Sequence, residues 1–466
     1  MTLDFSLIHR FKQENYYIVL DIHSGAVHSL SPEAWDYLNA LEEKAGDTEE
    51  AKRSLLGKYT QEELSDVQLA IGELINEGLL FSYDPAVEKY QPADDLIVKA
   101  LCLHVAHDCN LRCRYCFAGT GAFGGERGLM DAATGKQALD FLFAASGPRK
   151  HVEVDYFGGE PLLNFAVVRE LIEYGMVQAA QKGKILKQTL TTNALLLDRE
   201  IGEFLKSKGV SLILSIDGRP EVHDRMRPGV GGQGSYQRVA RAISKYLEYG
   251  DPESYYVRGT YTHFNLDFSK DVLHLAEQGF KQVSVEPVVA APEYDYALQD
   301  ADLPVLLQQY EELAEAWYEA QQKGEPFNFF HFNVSLDKGP CLPRRLTACG
   351  AGNEYMAVTP EGKLYPCHQF VGNEEFLLGD VWSGPKNEKI LNLFKNAHVF
   401  TKEECRCCWA RFFCGGGCHA NAHNFNQDLR KPYRGGCELQ KKRLECAIYL
   451  QVRLAEEQSF PSEKDV

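Results

Sequence analysis

His107-Asp108-Cys109-Asn110-Leu111-Arg112-Cys113-Arg114-Tyr115-Cys116 follows directly on an apolar run at 99–104. Its three thiols are separated by three and then two residues. Spaced this way, they can wrap one loop around an iron–sulfur cubane and leave one iron without a protein ligand. Zinc usually takes four ligands in paired Cys-x2-Cys units, so the spacing argues against it. Cys102, inside the apolar run, reads as a packing residue.

Moving outward, short apolar runs at 99–104, 152–157, 187–191, 211–216, 255–261 and 282–287 alternate with amphipathic stretches at 131–145, 166–182, 198–208, 236–249 and 269–278. Strand followed by helix, repeated, predicts a parallel α/β sheet, and six units fit a partial (β/α)6 TIM barrel. Barrel chemistry belongs at the C-terminal strand ends. There stand Gly158-Gly159-Glu160-Pro161, Thr191-Thr192-Asn193 and Ser215-Ile216-Asp217-Gly218, with Arg258 in the fifth strand and Val285 in the sixth.

The chain has 466 residues, which predicts about three domains. A net charge of −17 disfavours nucleic acid and anionic membrane as partners. With neither a bilayer-length apolar run nor an export signal, a cytoplasmic setting is expected, where crowded cysteines bind metal more often than they pair. The 14 cysteines fall in two groups, four at 102–116 and ten from Cys341 onward.

Residues 1–90 read as a small module with strands at 7–11, 16–21 and 26–30. A helix begins at Pro32 after the N-cap Ser31, further helices lie at 48–58 and 61–77, and a closing strand is expected at 79–82. This is a winged helix-turn-helix pattern. Its candidate groove helix, beginning Gln61-Glu62-Glu63, is acidic and would repel phosphate. The barrel is expected at 98–300, a bridging region at 301–340 and a loop-rich domain at 341–466. That last part contains Cys349, Cys367, Cys405, Cys407, Cys408, Cys414, Cys418, Cys437 and Cys446, with a hairpin turn at Thr359-Pro360-Glu361-Gly362-Lys363. On spacing alone, a pair of zinc knuckles stays open.

The Cys109/Cys113/Cys116 spacing, with aromatic Tyr115 before the third cysteine, resembles the radical S-adenosylmethionine (SAM) superfamily. The resemblance implies that SAM chelates the open iron and is cleaved to a 5′-deoxyadenosyl radical. It also implies SAM contacts at Tyr115, Gly158, Gly159, Glu160, Asn193, Ser215, Asp217 and Arg258. Glu160 would meet the ammonium, Arg258 the carboxylate, and Val285 the adenine. The later cysteines resemble the SPASM extension of peptide maturases, which carries two auxiliary [4Fe-4S] clusters, making three in all. By that resemblance Cys405, Cys408, Cys414 and Cys437 hold the distal cluster, and Cys349, Cys367 and Cys418 the nearer one. The fourth ligand of the nearer cluster stays open between Cys341 and a substrate thiolate.

The N-terminal module resembles the element that binds the leader of a ribosomally made precursor peptide as an added strand. The stretches Leu7-Ile8-His9-Arg10-Phe11-Lys12, Tyr17-Ile18-Val19-Leu20-Asp21 and Ser24-Gly25-Ala26-Val27-His28 resemble a narrower group. These are the thioether-forming maturases of "six cysteines in forty-five" (ranthipeptide) precursors. The implied reductant is a flavodoxin or ferredoxin. Formylglycine formation or carbon–carbon crosslinking is the alternative, and a non-catalytic peptide-binding or electron-transfer protein the distant one.

Overall fold

The computed structural model describes residues 3–85, 89–336 and 346–459; Cys341 and the end of the expected bridging region lie outside them. A turn through Glu14, at φ +50°, folds the start of the chain into an antiparallel sheet. Its strands are β1 (Ile8–Gln13), β2 (Tyr16–Asp21) and β3 (Val27–Leu30), in that order, with β3 at an edge. The Ser31 side chain caps α1 (Pro32–Glu43), α2 (Thr48–Leu55) follows, and a Thr60/Glu63 capping box starts α3 (Gln61–Asn76). Val19, Trp35, Leu38 and Ile71 form the core beneath.

The strand expected at 79–82 does not form. Phe81 takes φ +55°, and the Ser82 amide donates to the Asp21 carboxylate at 2.8 Å instead of to a strand partner.

The central sheet runs β4 (Ala100–Ala106), β5 (His151–Gly158), β6 (Ile185–Thr192), β7 (Ser211–Ser215), β8 (Tyr255–Tyr261) and β9 (Gln282–Pro287), each parallel to the next. Between them lie α4 (Ala132–Ala145), α5 (Phe165–Gln181), α6 (Arg199–Ser207), α7 (Pro220–Met226), α8 (Tyr236–Leu247) and α9 (Phe268–Glu277). Leu101, Leu103, Val105, Leu212 and Leu214 are completely buried, as strands covered on both faces require. The result is a partial barrel.

After α10 (Leu303–Gln322), β10 (Asn328–Phe329) extends the sheet beside β9. The expected hairpin forms as β11 (Tyr355–Val358) and β12 (Lys363–Tyr365). It also does what the sequence did not foretell: β11 pairs in parallel with β4 and covers that edge. β13 (Gly379–Asp380) and β14 (Gly384–Pro385) complete the sheet. The remainder is mostly short helices: α11 (Glu388–Lys395), α12 (Glu403–Arg406), α13 (Arg411–Cys414), α14 (His419–Asn426) and the long α15 (Arg434–Ser459). On α15, Lys442, Tyr449 and Arg453 bond to Glu311 and Glu315 of α10, and Cys446 is a buried core residue. Among the described residues no helix is long and apolar enough to cross a membrane.

Candidate functional site

At the C-terminal ends of the barrel strands a cavity of about 250 Å³ opens. Cys109, Cys113, Tyr115 and Cys116 from the loop after β4 form one wall. Gly158 and Gly159 after β5, Asn193 after β6, Ser215 of β7 and Arg258 of β8 form the rest. The glycines are required by close approach. A Cβ on Gly158, at φ +124°, would stand 2.2 Å from the Ala106 carbonyl oxygen, and one on Gly159 2.2 Å from that of Asp108.

The cysteine loop is strapped down by its backbone. Arg112 N donates to Pro228 O and Arg114 N to Met226 O, each at 2.8 Å. The Asn193 amide reaches Asn110 Oδ1 at 2.7 Å and lies 3.7 Å from Cys109 Sγ. Burial pushes the Cys109 thiol up to about 11 and the Cys113 thiol up to about 12. Thiolates here therefore need a metal to hold them. Among the described residues no three His, Cys, Asp or Glu side chains converge on a single ion. An all-sulfur donor set around an open cavity suits an iron–sulfur cluster, and the cavity beside it has room for its chelating cofactor.

Two predicted contacts lie behind the cavity wall rather than on it. Glu160 is completely buried and accepts from Leu162 N at 3.0 Å, Thr192 Oγ1 at 2.7 Å and Asn193 N at 2.8 Å. It thereby ties the end of β5 to that of β6, and burial raises its carboxyl to about 7 despite these donors. Asp217, also buried, accepts from the Tyr115 hydroxyl at 2.7 Å, Arg227 Nε at 2.9 Å and Thr260 N at 3.1 Å. Arg258 does line the cavity but pairs with Glu286 at 2.9 Å. That pairing, with His331 and Arg443 nearby, holds the Glu286 carboxyl down at about 2. Val285 is completely buried in the core and does not line the cavity; alternation along β9 presents Glu286 there, and Pro287 joins it at the strand end.

Several lining residues had no signal in the sequence. Asp155 accepts from Thr189 and Thr191, and burial raises its carboxyl to about 6. Arg227, in an unremarkable polar run, lies over the Tyr115 ring at 5.4 Å. His368 arrives from the segment after β12, stacked on Phe157 at 5.3 Å and bonded to the Tyr355 hydroxyl at 3.0 Å. Only the unforeseen β4–β11 pairing brings it to the cavity.

The later cysteines gather in two groups. Cys405, Cys408, Cys414 and Cys437 lie close enough for their charges to act on one another, as do Cys349, Cys367 and Cys418. Cys407 is exposed and outside both. Again each donor set is all sulfur.

Residues 103–275 match the family model "Radical SAM superfamily". The chain is 26% identical over 339 residues to a cysteine-type anaerobic sulfatase-maturating enzyme of Clostridium perfringens, covering 66% of this chain and 85% of that one. It is 24% identical over 348 residues to the antilisterial bacteriocin subtilosin biosynthesis protein AlbA of Bacillus subtilis, covering 70% and 68%. The solved structure of native anSMEcpe with bound AdoMet and Cp18Cys peptide shares the fold, with a TM-score of 0.63 at 21% identity over 77% of this chain and 99% of that one. Residues 103–275 therefore form a radical SAM unit, in a chain that has a protein-maturating enzyme and a bacteriocin biosynthesis protein among its homologues.

Proposed function

We propose that this chain forms intramolecular thioether crosslinks, cysteine sulfur to carbon, in a ribosomally made cysteine-rich precursor peptide. One observation carries the reading: His368, next to Cys367 of the three-thiol group, lines the same cavity as Cys109, Cys113 and Cys116. In this reading a radical source on one wall and a second sulfur-rich group, reached through His368, serve one cavity. Among the described residues the nearer group has three thiols, and the fourth ligand of its cluster is proposed to be a substrate cysteine rather than Cys341. In this reading the three cysteine groups hold [4Fe-4S] clusters, the later two in a SPASM-type domain.

The cluster at Cys109, Cys113 and Cys116, with bound SAM, supplies the 5′-deoxyadenosyl radical that takes a hydrogen from the peptide. Gly158 and Gly159 would bring backbone against the cofactor. Asn193 and Ser215 line its path, and Arg258 is the partner for its carboxylate. Glu160 and Asp217 also act through the residues they hold, Asn193 and Tyr115.

The leader is taken by the N-terminal module. Edge strand β3 and helix α3 border a groove of about 560 Å³ whose walls include Val27, Leu30, Val67 and Leu74. An added strand would pair with β3 and seat alternate side chains in the groove. A flavodoxin or ferredoxin in the cytoplasm is the proposed reductant.

The test is anaerobic incubation with the precursor encoded nearby, read by tandem mass spectrometry. Loss of two hydrogens per crosslink, with the bridged cysteines closed to alkylation, is expected. A modified product whose cysteines all remain alkylatable would exclude thioethers. The second reading, formylglycine formation, is favoured by the likeness to the sulfatase-maturating enzyme and by the cavity carboxylates Asp155 and Glu286. It would appear instead as loss of sulfur from one cysteine.

A further inference from the structure

Lys402 is 0% exposed. Its Nζ donates to the Gly416 carbonyl at 2.6 Å, and among the described residues no carboxylate pairs with it. Burial works against its charge, and the groups that favour it are the cysteines Cys405, Cys414 and Cys437 of the distal group and Cys418 of the nearer one. Cys349, also of the nearer group, feels it in turn. The ammonium therefore stands between the two cysteine groups.

The backbone is built to keep it there. Gly415, Gly416 and Gly417 bridge Cys414 to Cys418 and all take positive φ, at 73°, 96° and 75°. A Cβ on Gly416 would stand 3.3 Å from Lys402 Nζ. At the other end, the Lys402 carbonyl accepts from Cys405 N and Arg406 N, fixing the start of α12. The lysine thus spans from the distal ligand loop to the midpoint of the tether joining the groups. A buried ammonium without a carboxylate is costly, and is tolerated where other anionic groups balance it. Thiolate-ligated cubanes carry net negative charge and become one unit more negative on reduction.

We propose that Lys402 is a fixed counter-charge shared by both auxiliary clusters, raising their reduction potentials together. The inference rests on the reading that both cysteine groups hold clusters. Its consequence for the reaction follows from electron balance. When a thiolate sulfur bonds to a carbon radical, one electron must leave the product. The Lys402 charge stabilises the cluster that receives it.

The experiment is an EPR-monitored redox titration of the full-length holoprotein, wild type against K402R, K402Q and K402M, alongside iron analysis. Lysine to arginine keeps the charge, glutamine keeps a donor without charge, and methionine keeps neither. In K402Q and K402M both auxiliary midpoints are expected to move negative by about 59 mV or more, a tenfold loss of reduced form for a one-electron couple. K402R should stay near wild type, and the SAM-responsive cluster should not move in any variant. In the cluster-free chain, K402M should unfold at a higher temperature than wild type, since it removes an unbalanced buried charge. Wild-type midpoints in K402Q at full iron would overturn the proposal while leaving the clusters standing. Wild type with about four irons per chain, not about twelve, would remove the clusters themselves, and the proposal with them.

Discussion

Asp217 accepts from a phenol, a guanidinium and a backbone amide while fully buried, so its removal leaves the Arg227 charge uncompensated beneath the cysteine loop. Asp217→Ala is expected to cost about 3–5 kcal/mol, whereas Tyr115→Phe, which deletes one hydroxyl, costs about 1 kcal/mol. Denaturant unfolding of the cluster-free chain measures both. Glu160 gives a pH signature. Its folded-state carboxyl sits near 7 against an ordinary value of 4.5, because burial disfavours the charge. A raised acid contributes most to stability below its unfolded value and loses that contribution as pH rises through the folded one. The stability of wild type relative to Glu160→Gln should therefore fall between about pH 5 and pH 7, and a difference that is flat with pH would contradict it. Both residues stood out in the sequence as strand-end acids, and both do sit at those ends. What the sequence could not give is which way they face, since that depends on donors from elsewhere in the fold: Thr192 and Thr260 on other strands, and Arg227 just after α7.

At the scale of elements, the six parallel strands and their helices were legible because apolar runs and amphipathic stretches repeat, with Asp131 and Asp198 capping two of the helices. α3 shows the same rule, with Thr60 and Glu63 closing its capping box. The run at 79–82 failed because composition resembles a strand while no partner edge reaches it. The β11–β12 hairpin was legible as a hairpin, but its pairing with β4 spans some 250 residues and leaves no local mark. The β3–α3 groove yields a separable prediction. Ala70 is exposed on its wall, while the exposed Leu69, one residue earlier, lies outside the lining. Ala70→Glu should weaken binding of the precursor's leader peptide about tenfold or more, about 1.4 kcal/mol, by placing a charge where the peptide docks. Leu69→Glu should leave affinity unchanged. Fluorescence anisotropy with labelled leader reads both, and equal loss in the two variants would place the leader elsewhere.

Across the whole molecule, the N-terminal sheet is joined to the second cysteine region rather than hung from a linker. The His9 ring of β1 stacks on Trp409, directly after Cys408, at 3.8 Å and 5°, and bonds to Glu445 of α15 at 2.9 Å. Beside it Tyr16 meets the Tyr449 ring edge-on at 5.4 Å, and Arg411 Nη2 lies 2.9 Å from His23 Nε2. A leader docked on β3 therefore has a set geometry relative to the cavity, which fixes where the rest of the peptide can enter. Holding a substrate in register is worth much of a barrier, and a small misplacement can cost about a hundredfold. Trp409→Ala removes the stacking partner while leaving the β3–α3 groove intact. Hydrogen exchange should show β1 losing protection, and leader affinity should stay within about twofold of wild type. Crosslinking of the full-length precursor should slow by about ten- to a hundredfold. SAM cleavage without peptide should stay at the wild-type rate, because the barrel is untouched. Slowed cleavage without peptide would instead trace the defect to the clusters, and unchanged crosslinking with β1 unprotected would show that the junction does not set the register.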